Sequence, residues 1–202
     1  MFSALVLAAG LSRRMGTNKL LLPFGERTVL AQVITVLCQC PLAEIVVVAG
    51  HEREKIEQVL GRYRDSALDN LTLRSVYNPN YAAGDMLSSI QTGLAAMRAD
   101  CDAALVTLGD QPQIERRSAE QVIAAHVPGA VVIPSFNRRG GHPILIDRAC
   151  WPEILALPPG ASLRELFRAH IQWLRYVDVD TESVLRDMDT PEDYDQLVHK
   201  RP

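Results

Sequence analysis

Between Ala9 and Lys19 the chain reads Ala9-Gly10-Leu11-Ser12-Arg13-Arg14-Met15-Gly16-Thr17-Asn18-Lys19. Gly10 and Gly16 allow tight turns and let backbone come close to a ligand. Free amide N–H groups, the Ser12 hydroxyl and three cations then fall within one short segment, a set suited to a polyphosphate. The competing reading is an ordinary strand-to-helix turn with solvated arginines. Two familiar phosphate loops do not fit: five residues separate Gly10 from Gly16 and Lys19 comes too late for a P-loop, and the G-x-G-x-x-G dinucleotide fingerprint is absent.

Carboxylates form the second group. Asp110, in Gly109-Asp110-Gln111-Pro112, closes an apolar run. An acid at a strand's carboxyl end suits a hard cation held mainly by substrate phosphates and water, although Asp and Pro also favour turns. Asp187 and Asp189 are two apart and share a face if the stretch is extended. Ser88 and Ser89 can touch a ligand or start a helix. Among the five histidines, His142 stands apart: Gly140, Gly141 and Pro143 frame it, and Arg138 and Arg139 precede it. The others read as structural or solvated. Cys38-Gln-Cys40 lacks the spacer of a zinc knuckle. With only Cys101 and Cys150 besides, the cysteines indicate a reduced protein rather than a disulfide scaffold.

The positioning elements follow from hydrophobic pattern. Ala4 to Ala8, Ile45 to Ala49, Ala103 to Leu108 and Ala130 to Pro134 are near-continuous apolar runs, as strands buried on both faces require. Between them, Thr28 to Leu37, Leu87 to Met97 and Ala119 to Ala125 carry helical spacing. Ser162 with Glu165 fits a capping box opening a short helix toward His170. Thr190-Pro191-Glu192-Asp193 is a strong helix start with Thr190 as N-cap. About Phe136 to Ile146 the pattern suggests a β excursion, a hairpin or edge strand; Pro158-Pro159-Gly160 reads as a loop. Alternating strands and helices predict a doubly wound α/β fold, a mostly parallel sheet with helices on both faces. Ligands then bind beyond the strands' carboxyl ends, where the loops above lie.

The 202 residues suit one domain, 1–202, and bury roughly 70% of the unfolded surface without needing a metal or disulfide. Lys and Arg number 21 against 24 acids, a net charge of −3, which argues against a nucleic-acid partner held by phosphate neutralisation. The apolar N-terminus lacks a preceding basic region and is too short to span a bilayer. No membrane association and a cytoplasmic location are expected.

Taken whole, LAAGLSRRMGTNKLLLPFGERTVL, NPNYAAGDMLSSIQTGL, LVTLGDQPQI, GGHPILI and RDMDTPEDY resemble, in order, the blocks of the MobA-like nucleotidyltransferases. Ala9, where guanylyltransferases of that group usually carry Gly, is similar to the molybdenum-cofactor cytidylyltransferase branch. The resemblance implies a nucleotide-diphospho-sugar-transferase-like, Rossmann-type fold and transfer of CMP from CTP to Mo-molybdopterin, with Mg²⁺ and release of pyrophosphate. It implies that Lys19 stabilises the α-phosphoryl charge and that Arg14 contacts the β- and γ-phosphates; Arg13, at a variable position, is left a solvated or steering role. Ala9, Gly10, Leu11, Ser12 and Gly16, with Asn78, Gly84, Ser88 and Ser89, would hold the nucleotide. Asp110 and Asp189 would hold the metal, with Asp187 as the alternative second ligand. Arg138, Arg139 and His142 would receive the phosphorylated pterin. A molybdoenzyme client is a further implied partner. A guanylyltransferase, a cytidylyltransferase for another phosphorylated acceptor, a non-catalytic cofactor carrier, and a flavin or nicotinamide oxidoreductase are the competing functions.

Overall fold

The computed structural model describes residues 1–64, 71–83 and 86–199. Strand β1 (Phe2–Ala8) lies at the centre of an eight-stranded sheet. After two 3-10 turns, a two-stranded ribbon, β2 (Pro23–Phe24) and β3 (Arg27–Thr28), leads into α1 (Val29–Leu37). Thr28 caps α1 by accepting from the Ala31 N–H at 3.2 Å. There follow β4 (Glu44–Ala49), α2 (Arg53–Arg64), β5 (Thr72–Tyr77), α3 (Met86–Ala96), β6 (Ala103–Leu108) and α4 (Arg116–Ala124). The remainder is β7 (Val131–Phe136), β8 (Arg139–Gly140), β9 (Ile144–Asp147), α5 (Trp151–Leu155), α6 (Leu163–Ala169), β10 (Leu174–Asp178) and α7 (Pro191–His199).

The strand order is β10-β7-β9-β6-β1-β4-β5, with β8 paired to β7. All neighbours along the path are parallel except around β9, which is antiparallel to β6 and β7. The sheet is therefore mixed but mostly parallel, and its helices lie on both faces. Period-two side-chain alternation divides the core. Ala4, Val6, Ile45, Val47 and Leu105 face the layer containing α1, α2 and α4, while Leu5, Val46, Val48, Ala104 and Val106 face α3 and α5. Burying a side chain such as Leu5 or Ile45 contributes about 1.5–3 kcal/mol.

The four predicted strands and the helices at α1, α3, α4, α6 and α7 are present. The Thr190 start is a complete capping box: the Asp193 carboxylate accepts from the Thr190 N–H at 2.8 Å, and the Thr190 hydroxyl accepts from the Asp193 N–H at 3.2 Å. Ser162 does stand at the N-cap of α6, but its side chain makes no capping bond. The excursion after Phe136 is a hairpin whose turn is Asn137-Arg138, both at positive φ. Its continuation, β9, is no edge strand: it is wedged between β6 and β7 and wholly buried. Ile144-Leu145-Ile146 is apolar at every position, which only an interior strand can bury on both faces. The α2 helix is too polar, and β5 and β10 too mixed in exposure, to have stood out as buried elements. No helix among the described residues is long and apolar enough to cross a membrane.

Candidate functional site

The chain moves outward from β1 to β4 and β5, then returns through α3 to β6 on the other side of β1. The carboxyl ends of β1 and β6 thus form the topological switch point, where open α/β sheets leave a crevice. A cleft of about 560 Å³ opens there.

The loop after β1 forms one wall. Ser12 adopts a left-handed conformation (φ 49°). Its carbonyl accepts from the Met15 N–H at 3.0 Å, and its hydroxyl oxygen accepts from the Lys19 N–H at 3.2 Å. The hydroxyl proton is left to donate elsewhere. Gly16 (φ 65°) ends the 3-10 turn Arg13–Met15, a conformation in which a side chain would be strained. Asn18 accepts from the Leu20 N–H and caps the next turn, from which Lys19 points inward.

The Lys19 ammonium is the hub. It pairs with Asp110, at the end of β6, and with Asp189 Oδ1 at 2.9 Å. Arg14 reaches the other oxygen of Asp189, also at 2.9 Å. The Lys19 and Asp110 side chains are only 14% and 16% exposed, so their pairing is poorly screened by water. Burial alone would lower the Lys19 pKa, but the Asp110 and Asp189 carboxylates outweigh it and raise it. The hydrogen bond from Lys19, with Arg14 assisting, holds the Asp189 carboxyl below its ordinary range. Asp187 makes a different contact. It accepts from the Gln111 amide at 2.6 Å, and desolvation, reinforced by Asp110 and Asp189, raises its pKa.

The three aspartates line one cleft, but no group of three or more potential ligands among the described residues is arranged around one point. Asp110 and Asp189, which already bracket a single cationic group, are oxygen donors of the kind Mg²⁺ takes when phosphates and water complete its shell. The donor set fits such an ion and is unsuited to a closed, all-protein site.

The other expected site residues are distributed unevenly. Ala9, Gly10, Leu11, Ser12, Arg14 and Ser89 line the cleft, joined by Leu7, Arg13, Tyr81, Met86, Leu108 and Asp187. Asn78 was expected to contact the nucleotide and does not face the cleft. It is fully buried, and its amide donates to the Ser88 and Ser89 hydroxyls at 3.0 Å each. Its place is that of a positioning residue tying the end of β5 to the start of α3. Gly84 lies outside the described residues. Arg138 and Arg139 are exposed at the β7–β8 hairpin, away from the cleft walls. His142 is not among the wall residues either, although the Asp110 charge acts on it; burial pushes its pKa down to about 4, so the imidazole is neutral at neutral pH. It can offer a hydrogen bond rather than a charge. Tyr81 and Met86 carried no sequence signal, because one aromatic and one Met beside an apolar helix read equally well as core.

A profile for the family described as MobA-like NTP transferase domain matches residues 4–174. The chain is 28% identical over 193 residues to the molybdenum cofactor cytidylyltransferase of Escherichia coli (strain K12), covering 94% of this chain and 92% of that protein. It is 28% identical over 206 residues to the nicotine blue oxidoreductase of Paenarthrobacter nicotinovorans, covering 97% and 96%. A crystal structure of Rv0371c from Mycobacterium tuberculosis in complex with manganese matches with a TM-score of 0.77 at 24% identity, covering 99% of each chain. That last likeness is one of fold.

Proposed function

The chain belongs to the MobA-like NTP transferase family and is a nucleotidyltransferase, and from that premise we propose that it transfers CMP from CTP to the terminal phosphate of Mo-molybdopterin. The observation that carries the reading is Lys19, shared between Asp110 and Asp189 at the β1–β6 switch point and flanked by Arg14. The name of the Escherichia coli relative supports the choice of substrates.

The acceptor phosphate oxygen attacks the α-phosphorus, the bond to the bridging oxygen breaks, and pyrophosphate leaves. Two anions must approach, so positioned positive charge does most of the work and no strong general base is needed. Lys19 neutralises charge building on the α-phosphoryl oxygens. Arg14 holds the β- and γ-phosphates, Arg13 steers the anion in, and the Gly10 and Leu11 amides with the Ser12 hydroxyl donate to phosphate oxygens. Ser89, backed by Asn78, closes the nucleotide side. Asp110 and Asp189 would hold Mg²⁺, which when bound polarises the phosphoryl oxygens and neutralises the leaving group. Asp187 is held off by Gln111. In this reading the protein works in the cytoplasm and passes its product to a molybdoenzyme client.

The test is purified protein with each NTP in turn, Mg²⁺ and Mo-molybdopterin, with products identified by mass. Molybdopterin cytosine dinucleotide and pyrophosphate are expected. Binding of the pterin without pyrophosphate release would instead mark a carrier. Oxidation of a reduced nicotinamide in the same preparation would favour an oxidoreductase.

A further inference from the structure

The cleft is electrically lopsided. Its cations and carboxylates sit at the β1–β6 end, around Lys19 and Asp110, and at Asp189. Among the described residues, the end toward β4 and β5 presents Ala9, Tyr81, Met86 and Ser89, none of them charged. A nucleoside triphosphate is lopsided in the same sense, with a polyanion at one end and a flat, weakly polar heterocycle at the other.

Tyr81 is held in that wall by its neighbours. Its ring lies 6.2 Å from the Tyr77 ring and 6.4 Å from the His51 ring, centroid to centroid. Tyr77 is itself 41% exposed and has the Arg53 guanidinium over its ring at 5.4 Å. Gly50, just beyond β4, lets Tyr81 approach the phosphate loop. A Cβ on Gly50 would stand 2.5 Å from Tyr81 Cβ and 2.7 Å from the Ala9 carbonyl oxygen, closer than real contacts allow. The Tyr81 hydroxyl makes no hydrogen bond among the described residues, so nothing about its placement depends on the oxygen. A braced aromatic ring against a nucleotide-sized cleft is what base stacking uses, and it is tolerant of which base it meets.

We propose that the Tyr81 ring is the surface against which the nucleobase packs, and that Gly50 is the positioning residue that admits the ring to the Ala9 side of the cleft. This rests on the nucleotidyltransferase reading and adds the residue that takes the base. The ring supplies affinity for any base, so selectivity between bases is left to the other groups of the cleft, among them Ser89 and the loop at Ala9.

Calorimetric titration of the full chain with Mg²⁺ separates the ends of the ligand, because inorganic tripolyphosphate probes the phosphate cradle without a base. Tyr81→Leu is expected to weaken CTP binding by about tenfold or more and to leave tripolyphosphate within about twofold. Tyr81→Phe should keep CTP within about twofold. Equal losses for CTP and tripolyphosphate, an unchanged CTP affinity, or a Phe variant as weak as the Leu variant would each overturn the proposal alone. Wild-type protein that binds tripolyphosphate but no nucleotide would overturn the parent reading and this one with it. Tyr81→Trp keeps an aromatic ring and gives a second readout should the Leu variant not fold. Compared with wild type, its added indole fluorescence should respond to CTP and not to tripolyphosphate; equal responses, or none, would count against base stacking.

Discussion

Lys19 carries most of the proposed chemistry, because a single ammonium touches carboxylates delivered by two distant parts of the chain. Its raised pKa keeps it charged throughout the physiological range, as a group that meets developing phosphoryl charge must be. Lys19→Ala is expected to lower kcat by roughly 10²-fold or more while NTP binding weakens less, since an electrostatic group of this kind acts most strongly in the transition state. Steady-state and binding measurements on the same preparation separate the two effects; equal losses would make Lys19 a general anchor. The acids divide in the same way. Asp110→Ala and Asp189→Ala should each abolish Mg²⁺-dependent transfer, whereas Asp187→Ala should cost far less, because the Gln111 amide already engages its carboxylate. If Asp187→Ala is inactive and Asp189→Ala is not, the metal ligand is two residues earlier. Melting curves must accompany Asp189→Ala, whose N–H is bonded to the Asp193 cap.

At the scale of elements, the inserted strand β9 is anchored at both ends. At its far end Asp147 accepts from the Ala149 N–H at 2.9 Å and meets His126 Nε2 at 2.7 Å, and the His126 ring packs edge-on to Phe2. Burial would raise the Asp147 carboxyl, but the Gly129 and Ala149 amides and His126 outweigh it and hold it below its ordinary range. Such a group contributes stability that is complete above the unfolded carboxyl pKa and is lost as pH falls through the depressed folded value. Asp147→Ala should cost about 1–2 kcal/mol at pH 7, and its Tm gap from wild type should narrow below about pH 4. A gap independent of pH would show that packing, not charge, matters there. At the near end Gly141 passes against Val184: an added Cβ would lie 2.0 Å from the Val184 carbonyl oxygen, and the next N–H, of His142, donates to that oxygen at 2.9 Å. Gly141→Ala should therefore destabilise by about 1–3 kcal/mol, read as a lower melting temperature. Gly140→Ala, whose nearest neighbour is an Ile133 methyl at 3.0 Å, should cost less because a side chain can yield.

For the molecule as a whole, the cleft draws on the β1 loop, the end of β6, the segment before α7 and the turn before α3, so a nucleotide bound there ties together segments far apart in sequence. A ligand that binds only the folded state at about 100 times its Kd adds about 2.7 kcal/mol, which for a chain of this size raises Tm by roughly 5–10 °C. CTP with Mg²⁺ should give a shift of that order, and a chelator should remove most of it. In the proposed reading the methyl of Ala9, a residue of the cleft wall, takes room that a second glycine would leave open. CTP should therefore exceed GTP by at least about tenfold in kcat/KM, a difference of only about 1.4 kcal/mol. Competition between the two nucleotides with one acceptor checks this, and equal use would remove the cytidylyl assignment while leaving nucleotidyl transfer in place.

The parallel core and the cation-rich loop are legible in the amino-acid sequence alone, for a local reason. Apolar runs such as Ile45 to Ala49 can be buried only in an interior strand, and Thr190 with Asp193 satisfies helix N–H groups within one turn. Side-chain direction and neighbourhood were another matter. Asn78 and Ser89 belong to one sequence block, yet packing turned the first wholly inward and left the second on the cleft. Arg138, Arg139 and His142 are nearly contiguous, yet the hairpin carried the arginines into solvent while burial left the histidine neutral. The insertion of β9 between β6 and β7, and the meeting of Lys19 with residues about 90 and 170 positions away, depend on strand order. No local pattern encodes that order, because it is set by which long-range pairings bury the most surface at the least strain.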